Sequence, residues 1–161
     1  MSYRILAECN VDTMLAKQLG FRDTVHASGI STLLNQMERK HAHITTFGII
    51  DDDKKPPPKF KAYKKVTTKD RLKLYHRETA KGKDHYLIVV SPAQEKYLWY
   101  SAEDCGIDPT RFFPSIKRLA QVCKSSKADK NSKLQALINS LCAKPDSPVG
   151  LIRQWIHQYS R

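Results

Sequence analysis

Two apolar runs near the start of the chain each end in carboxylates. Glu8 follows Ile5-Leu6-Ala7, and Asp51-Asp52-Asp53 follows Phe47-Gly48-Ile49-Ile50. Short apolar runs of this kind are typical of buried parallel strands, whose carboxyl ends form the edge where α/β proteins bind ligands. Carboxylates gathered at one edge repel one another unless a cation lies among them. The pattern therefore predicts a Mg²⁺ (or Mn²⁺) site that includes Glu8, Asp51 and Asp53.

Several of the acids also have a simpler structural explanation. Asp is common in the turn after a strand because its side chain forms local hydrogen bonds. Asp12 and Glu95 each fall in the first turn of an expected helix, where the helix dipole favours a negative charge. Glu8 has no such explanation, because a carboxylate that ends a buried strand is costly unless it is paired. Side-chain alternation places Asp51 and Asp53 on one face, which makes Asp52 the weakest candidate.

Strands and helices alternate in the part of the chain that would position these acids. Strands are predicted at 3–7, 24–27 and 44–50, and the intervening segments 11–19 and 30–37 carry apolar residues at helical spacing. The order β-α-β-α-β predicts an α/β fold with a parallel sheet.

The middle of the chain is less regular. The segment 54–59 predicts an extended basic loop because its three prolines remove backbone donors, and a helical turn is predicted within 60–66. Strands are predicted at 71–77 and 85–90, paired as an antiparallel hairpin at one side of the sheet, with a helix at 93–102. Three short helices follow, so we predict two units. Residues 1–106 form the α/β domain, and residues 107–161 form a helical cap packed on it.

The charge is unevenly distributed along the chain. The whole sequence carries 28 Lys and Arg against 16 Asp and Glu, a formal charge of +12. Residues 54–83 hold 12 basic and 2 acidic residues, so +10, and residues 111–161 hold 10 and 2, so +8. Residues 1–53 and 84–110, which carry the candidate metal ligands, are net acidic. Acidic metal sites beside basic surfaces suit phosphodiester chemistry, although basic runs also serve simply as solvated faces.

Composition excludes some other classes. No apolar stretch reaches 18 residues and no signal-type segment opens the sequence, so we predict a cytoplasmic protein that does not bind membranes. The four cysteines are widely spaced without a Cys-x-x-Cys pair, which argues against a zinc ribbon and against a disulfide framework.

The order of these segments resembles the Toprim (topoisomerase–primase) domain. Residues 5–12 look like its first strand, which ends in a Glu and is followed four residues later by an Asp. Residues 26–29 resemble the turn after its second strand, and residues 49–53 resemble the Asp-x-Asp after its third strand. The stretch 90–98 is similar to one in the Toprim-like domains of overcoming-lysogenisation-defect family nucleases and their small relatives.

The resemblance implies a Toprim-like (Rossmann-like), mainly parallel sheet flanked by helices, with a C-terminal helical appendage. It also implies a role for each candidate acid. Glu8 would be the acid/base catalyst, Asp51 and Asp53 would hold Mg²⁺, and Glu95 would be a ligand of a second metal ion.

Three functions remain at this point. The first is a Mg²⁺-dependent nuclease acting on DNA or RNA, whose basic loop binds the backbone through Lys54, Lys55, Lys59, Lys61 and Lys64. The second is a non-catalytic module that binds nucleic acid or an acidic partner and carries a degenerate site. The third is a receiver-like signalling domain. It fits less well because the acidic pair of such a domain should follow the first strand, whereas the consecutive acidic residues of this chain follow the third strand.

Overall fold

The computed structural model describes residues 2–52 and 55–161, and within them it shows six strands in a single sheet. The strands are β1 (Tyr3–Ala7), β2 (Val25–His26), β3 (Thr45–Asp51), β4 (Lys64–Lys69), β5 (Leu72–Glu78) and β6 (Asp84–Val90). The α-helices are α1 (Asn10–Gln18), α2 (Ile30–Lys40), α3 (Gln94–Asp104), α4 (Ile116–Cys123), α5 (Ser132–Ala143) and α6 (Gly150–Tyr159). Short 3₁₀ helices occupy Pro58–Ala62, Pro109–Arg111 and Ala128–Lys130.

The sheet has the strand order β2-β1-β3-β6-β5-β4. The first four strands in that order are mutually parallel, and β6, β5 and β4 pair antiparallel. The predicted α/β class and the β5–β6 hairpin are therefore confirmed, in a mostly parallel, Rossmann-like arrangement. Because β6 lies directly beside β3, the chain that leaves β6 enters α3 at the same sheet edge as the ends of β1 and β3.

Helices cover both faces of the sheet. One apolar cluster joins Ile5, Phe47 and Ile88 to helices α1, α3, α4, α5 and α6. A smaller cluster on the opposite face joins Leu6, Ile50 and Leu87 to α2 and to Tyr63. The alternation of Ile5 and Leu6 between the two clusters shows why these strands are continuously apolar: each is buried on both sides.

A glycine in β3 allows α2 to pack closely against the sheet. A β-carbon on Gly48 would come within 2.8 Å of the Cδ2 atoms of Leu33 and Leu87 and within 3.1 Å of the Sδ of Met37. Any larger side chain at position 48 would therefore require the side chains of Leu33, Leu87 or Met37 to move.

The segment after the proline run differs from its prediction. The 3₁₀ helix Pro58–Ala62 falls near the expected turn, but Lys64–Lys69 form an edge strand that was not predicted. All six residues of β4 are exposed, so the segment lacks the apolar alternation by which a half-buried strand is recognised. Asp70 and Arg71 join β4 to its partner β5. Both residues have positive φ, as the two central residues of a type I′ hairpin turn require.

The C-terminal helices contribute to the same apolar cluster as the sheet. Leu137, Ile152 and Trp155 belong to the cluster that contains Phe47 of β3, and the Nε of Arg153 donates a hydrogen bond of 2.9 Å to the carbonyl of Leu19. The division at residue 106 stays a prediction. None of the helices in the described parts of the chain has the length and apolar character needed to cross a bilayer.

Candidate functional site

A cleft of about 350 Å³ lies at the carboxyl edge of the parallel strands. Three of the predicted site residues line it: Glu8 follows β1, Asp51 ends β3, and Glu95 lies in the first turn of α3 just after β6. The remaining lining residues are Cys9, Asn10, His26, Gln94, Cys123, Lys124, Ser125 and Ser126. The topology thus brings together acids that lie up to 87 positions apart, as the sequence predicted for Glu8 and Asp51. The fourth acid, Asp53, lies outside the described residues.

Glu8 is held firmly at the end of β1. Its N–H donates to the carbonyl of Ile49 at 2.9 Å, and its own carbonyl accepts from the N–H of Gly29 at 3.0 Å. The carboxylate Oε1 accepts the backbone N–H of Asp51 at 2.9 Å. The first two bonds fix the Glu8 backbone one residue beyond the end of β1. The third bond fixes the Glu8 carboxylate against the backbone at the end of β3.

Asp51 is in an environment that disfavours its charge. Burial, together with the negative charges of Glu8 and Glu95, raises the pKa of the Asp51 carboxyl to about 7. Its Oδ1 is buried and has no hydrogen-bond partner among the described residues. A cation placed beside it would supply the missing partner and would favour the ionised form.

A fully buried acid lies behind the cleft. The Asp12 side chain is wholly inaccessible, and burial together with the charges of Asp51 and Glu8 raises its pKa well above the ordinary value. Its Oδ1 accepts a hydrogen bond from the Nε2 of Gln94, and its Oδ2 has no partner among the described residues. These surroundings favour the protonated, neutral form of the Asp12 carboxyl.

Cys9 and Gln94 complete this buried group. The Sγ of Cys9 accepts the N–H of Asp12 at 3.5 Å, the position of a helix N-cap, and the thiol donates to the Oε1 of Gln94 at 3.4 Å. Burial is the main cause of a raised pKa for the Cys9 thiol, and it raises the pKa of the nearby Cys123 thiol to about 12. Both cysteines are thus neutral thiols and weak metal ligands at neutral pH.

The middle acid of the triplet is engaged elsewhere. The Oδ2 of Asp52 accepts from the Nζ of Lys73 at 2.9 Å and from the Oγ of Ser91 at 2.8 Å, and Asp52 does not line the cleft. The structure therefore separates Asp51 from Asp52 in the way that strand alternation predicted.

The fit of these residues to a metal ion is partial. The unpartnered Oδ1 of Asp51 and the mutual repulsion of three carboxylates suit a hard divalent cation with oxygen ligands. Within residues 2–52 and 55–161, however, no group of three or more His, Cys, Asp and Glu side chains is arranged to hold a metal ion. A site for Mg²⁺ would need Asp53 or water as additional ligands.

The predicted basic residues have different surroundings. Lys61 and Lys64 are exposed, and Lys55 is also exposed, whereas Lys59 forms an ion pair of 2.9 Å with Glu38 of α2. Lys54 lies outside the described residues. None of the described members of this set lines the cleft, but Lys124, which sequence reasoning did not select, does.

Sequence reasoning missed Gln94, Cys9, Cys123 and Lys124 as members of the site. The only local signal was the Cys9-Asn10-Val11-Asp12 helix start, because an N-cap side chain three residues before Asp12 indicates where the helix begins. No family model, curated protein or solved structure that was compared with the chain matches it.

Proposed function

We propose that this protein is a divalent-metal-dependent, Toprim-like enzyme that hydrolyses nucleic-acid phosphodiesters, a nuclease. The observation that carries the proposal is the meeting of Glu8, Asp51 and Glu95 in one cleft at the ends of three neighbouring parallel strands. Ligand sites of open α/β sheets occur at this edge. In this proposal residues 1–106 form the Toprim-like domain, and residues 107–161 form an appendage that contributes Cys123 and Lys124 to the cleft.

Each acid has a role that its surroundings support. Asp51 and Asp53 would hold Mg²⁺ or Mn²⁺, and Glu95 would be a ligand of a second metal ion. The metal supplies charge stabilisation at the scissile phosphate when bound. Glu8 would exchange a proton with the attacking water or the leaving oxygen. Its contact with the Asp51 N–H fixes the carboxylate in place before substrate arrives.

Cleavage assays test the enzymatic part of the proposal. Labelled DNA and RNA, single-stranded and duplex, are incubated with the protein in Mg²⁺ or Mn²⁺ and in a chelator. We expect metal-dependent cleavage that Glu8→Gln, Asp51→Asn and Asp53→Asn abolish, because each removes a carboxylate from the site. Asp52→Asn is the matched control, since it makes the same chemical change next to Asp51, and should retain cleavage. Equal loss in all four variants would contradict the assignment.

Salt dependence tests the predicted role of the basic loop. If Lys54, Lys55, Lys59, Lys61 and Lys64 contact phosphates, replacing Lys55, Lys59, Lys61 and Lys64 by Gln should weaken binding for all sequences alike. It should also flatten the log–log dependence of affinity on salt by about 0.9 per lost contact on duplex DNA. The Lys59 replacement should contribute least, because Glu38 already neutralises that lysine.

A second candidate is the non-catalytic nucleic-acid-binding module. The observation that favours it is the lack of a three-ligand metal group within the described residues. Wild-type protein that binds nucleic acid with a steep salt dependence but cleaves neither DNA nor RNA in Mg²⁺ or Mn²⁺ would establish this alternative.

A further inference from the structure

The connection between α4 and α5 places a second group of basic residues beside the acidic cleft. Residues 115–133, here named the basic segment, hold six basic residues and one acidic residue, Asp129. The basic residues are Lys117, Arg118, Lys124, Lys127, Lys130 and Lys133, and all six are exposed. This segment is far in sequence from the basic loop that follows β3.

The two clefts that this segment lines are adjacent. Lys124 lines the acidic cleft together with Ser125 and Ser126. A neighbouring cleft of about 430 Å³ is lined by Arg118, Gln121, Val122, Ser125, Lys127, Ala128, Lys130 and Asn131. Ser125 belongs to both clefts, so a surface depression bordered by Lys124, Lys127 and Lys130 leads to the candidate catalytic carboxylates.

Hydrogen bonds hold the segment in place against the site. The Nδ2 of Asn10, two residues after Glu8, donates to the carbonyl of Ser126 at 3.3 Å. The Oγ of Ser125 accepts the N–H of Lys127 at 3.1 Å, and the Oδ1 of Asn131 accepts the N–H of Leu134 at 2.9 Å. The first bond joins the segment to the start of α1 beside the site, and the other two are local bonds that constrain its backbone, which lowers the entropic cost of binding.

The lysine side chains themselves are available. Lys124, Lys127 and Lys130 form no ion pair with any carboxylate of the described residues, in contrast to Lys59, Lys73 and Arg71. Like charges at this density repel one another, and a polyanion would relieve that repulsion. The guanidinium of Arg118 donates to the Oε1 of Gln121 at 3.1 Å, so Arg118 is partly engaged.

We infer that Lys124, Lys127 and Lys130 form the track along which a nucleic-acid strand reaches the carboxylates Glu8, Asp51 and Glu95. This inference rests on the proposed function, because it takes nucleic acid as the ligand. It assigns the contacts nearest the site to the connection between α4 and α5. The group contacted is the sugar–phosphate backbone of one strand, which the lysines bind by charge and without base specificity.

Binding measurements with charge-matched variants test the inference. The test variant is Lys124→Gln/Lys127→Gln/Lys130→Gln. The control is Lys17→Gln/Lys40→Gln/Lys83→Gln, which removes the same charge from exposed lysines at the opposite, amino edge of the sheet. Affinity for fluorescent single-stranded and duplex oligonucleotides is measured by anisotropy over a range of salt, in a chelator so that no cleavage occurs. Thermal unfolding verifies that both variants are folded.

We expect the test variant to lose at least about tenfold in affinity at about 0.1 M salt and to lower the log–log salt slope by about two to three. The control should change the slope by less than about one. Lysine acetylation followed by mass spectrometry gives an independent readout. Oligonucleotide should protect Lys124, Lys127 and Lys130, and should leave Lys17, Lys40 and Lys83 reactive.

The outcomes separate this inference from the proposed function. Wild-type binding with equal affinity losses in both variants, or no protection of the three lysines, would overturn the inference while the nuclease proposal stands. Loss of binding in the test variant without any cleavage by wild type would support the role of the three lysines in nucleic-acid binding and would contradict the enzymatic proposal. A wild-type protein that binds no nucleic acid at low salt would overturn both.

Discussion

The Nζ of Lys73 on β5 lies 2.9 Å from the Oδ2 of Asp52 at the end of β3, although β6 lies between the two strands. This ion pair, with the hydroxyl of Ser91, engages Asp52, which does not line the cleft, whereas its neighbour Asp51 does. Two neighbouring aspartates therefore have different roles: Asp52 joins the hairpin to the parallel strands, and Asp51 faces the candidate metal site.

The first prediction separates these two roles. Asp51→Asn should abolish most of the thermal stabilisation by millimolar Mg²⁺ or Mn²⁺, because it removes a ligand. A ligand at about 100 times its Kd stabilises by about 2.7 kcal/mol, so differential scanning fluorimetry resolves the loss. Asp52→Asn should keep the metal response but lower stability by about 1 kcal/mol through loss of the Lys73 contact. A metal response that is lost in Asp52→Asn and kept in Asp51→Asn would refute the assignment.

The second prediction concerns pH. The pKa of Asp51 is raised to about 7 from 3.8, so the folded protein holds a proton there that the unfolded chain has released. Stability from this group is fully present below about pH 4 and is lost as the pH rises towards and through 7. Without metal, Asp51→Asn should therefore exceed wild type in stability by about 1–2 kcal/mol at pH 8. The difference should vanish near pH 4, as measured by urea unfolding in a chelator. Parallel pH profiles of the two proteins would count against the raised pKa.

The third prediction concerns the close packing of α2 on β3. Gly48→Ala places a methyl group within 2.8 Å of both Leu33 and Leu87, which cannot move freely in the smaller apolar cluster. We expect a loss of about 1–3 kcal/mol in the free energy of unfolding. Gly150→Ala is the control, because its nearest neighbour would be the Pro145 carbonyl at an ordinary 3.6 Å. Similar free energies of unfolding for the two variants would show that the packing of α2 on β3 accommodates the methyl group without a loss of stability.

The fourth prediction concerns the buried amide behind the site. Gln94→Met retains the volume but removes the donor to Asp12 and the acceptor of the Cys9 thiol. Because Asp12 would then have no hydrogen bond for Oδ1, the variant should lose about 1–3 kcal/mol of stability. Gln154→Met, on an exposed position of α6, should change stability by less than about 0.5 kcal/mol. Chemical denaturation of both variants measures the contrast, and equal values would mean that the buried bond contributes nothing.

Sequence reasoning succeeded where a local pattern reports directly on burial. The continuous apolar runs of β1 and β3 predicted both strands and the meeting of Glu8 with Asp51. It failed for Lys64–Lys69, because an exposed edge strand is defined by its pairing with β5 and by the turn at Asp70, and not by its own hydropathy. The bond between Gln94 and Asp12 was equally inaccessible, since 82 positions separate the partners and neither residue type demands the other.

The burial of one sheet face by the last two helices has a consequence for biosynthesis. Phe47 and Ile49 are made early, yet they share their apolar cluster with Ile138, Ile152 and Trp155, which leave the ribosome about a hundred residues later. Until then that face of the nascent sheet has only α1, α3 and α4 to cover it. Chains truncated before α6 should therefore bind hydrophobic dyes and chaperones, while α2 already protects the opposite face.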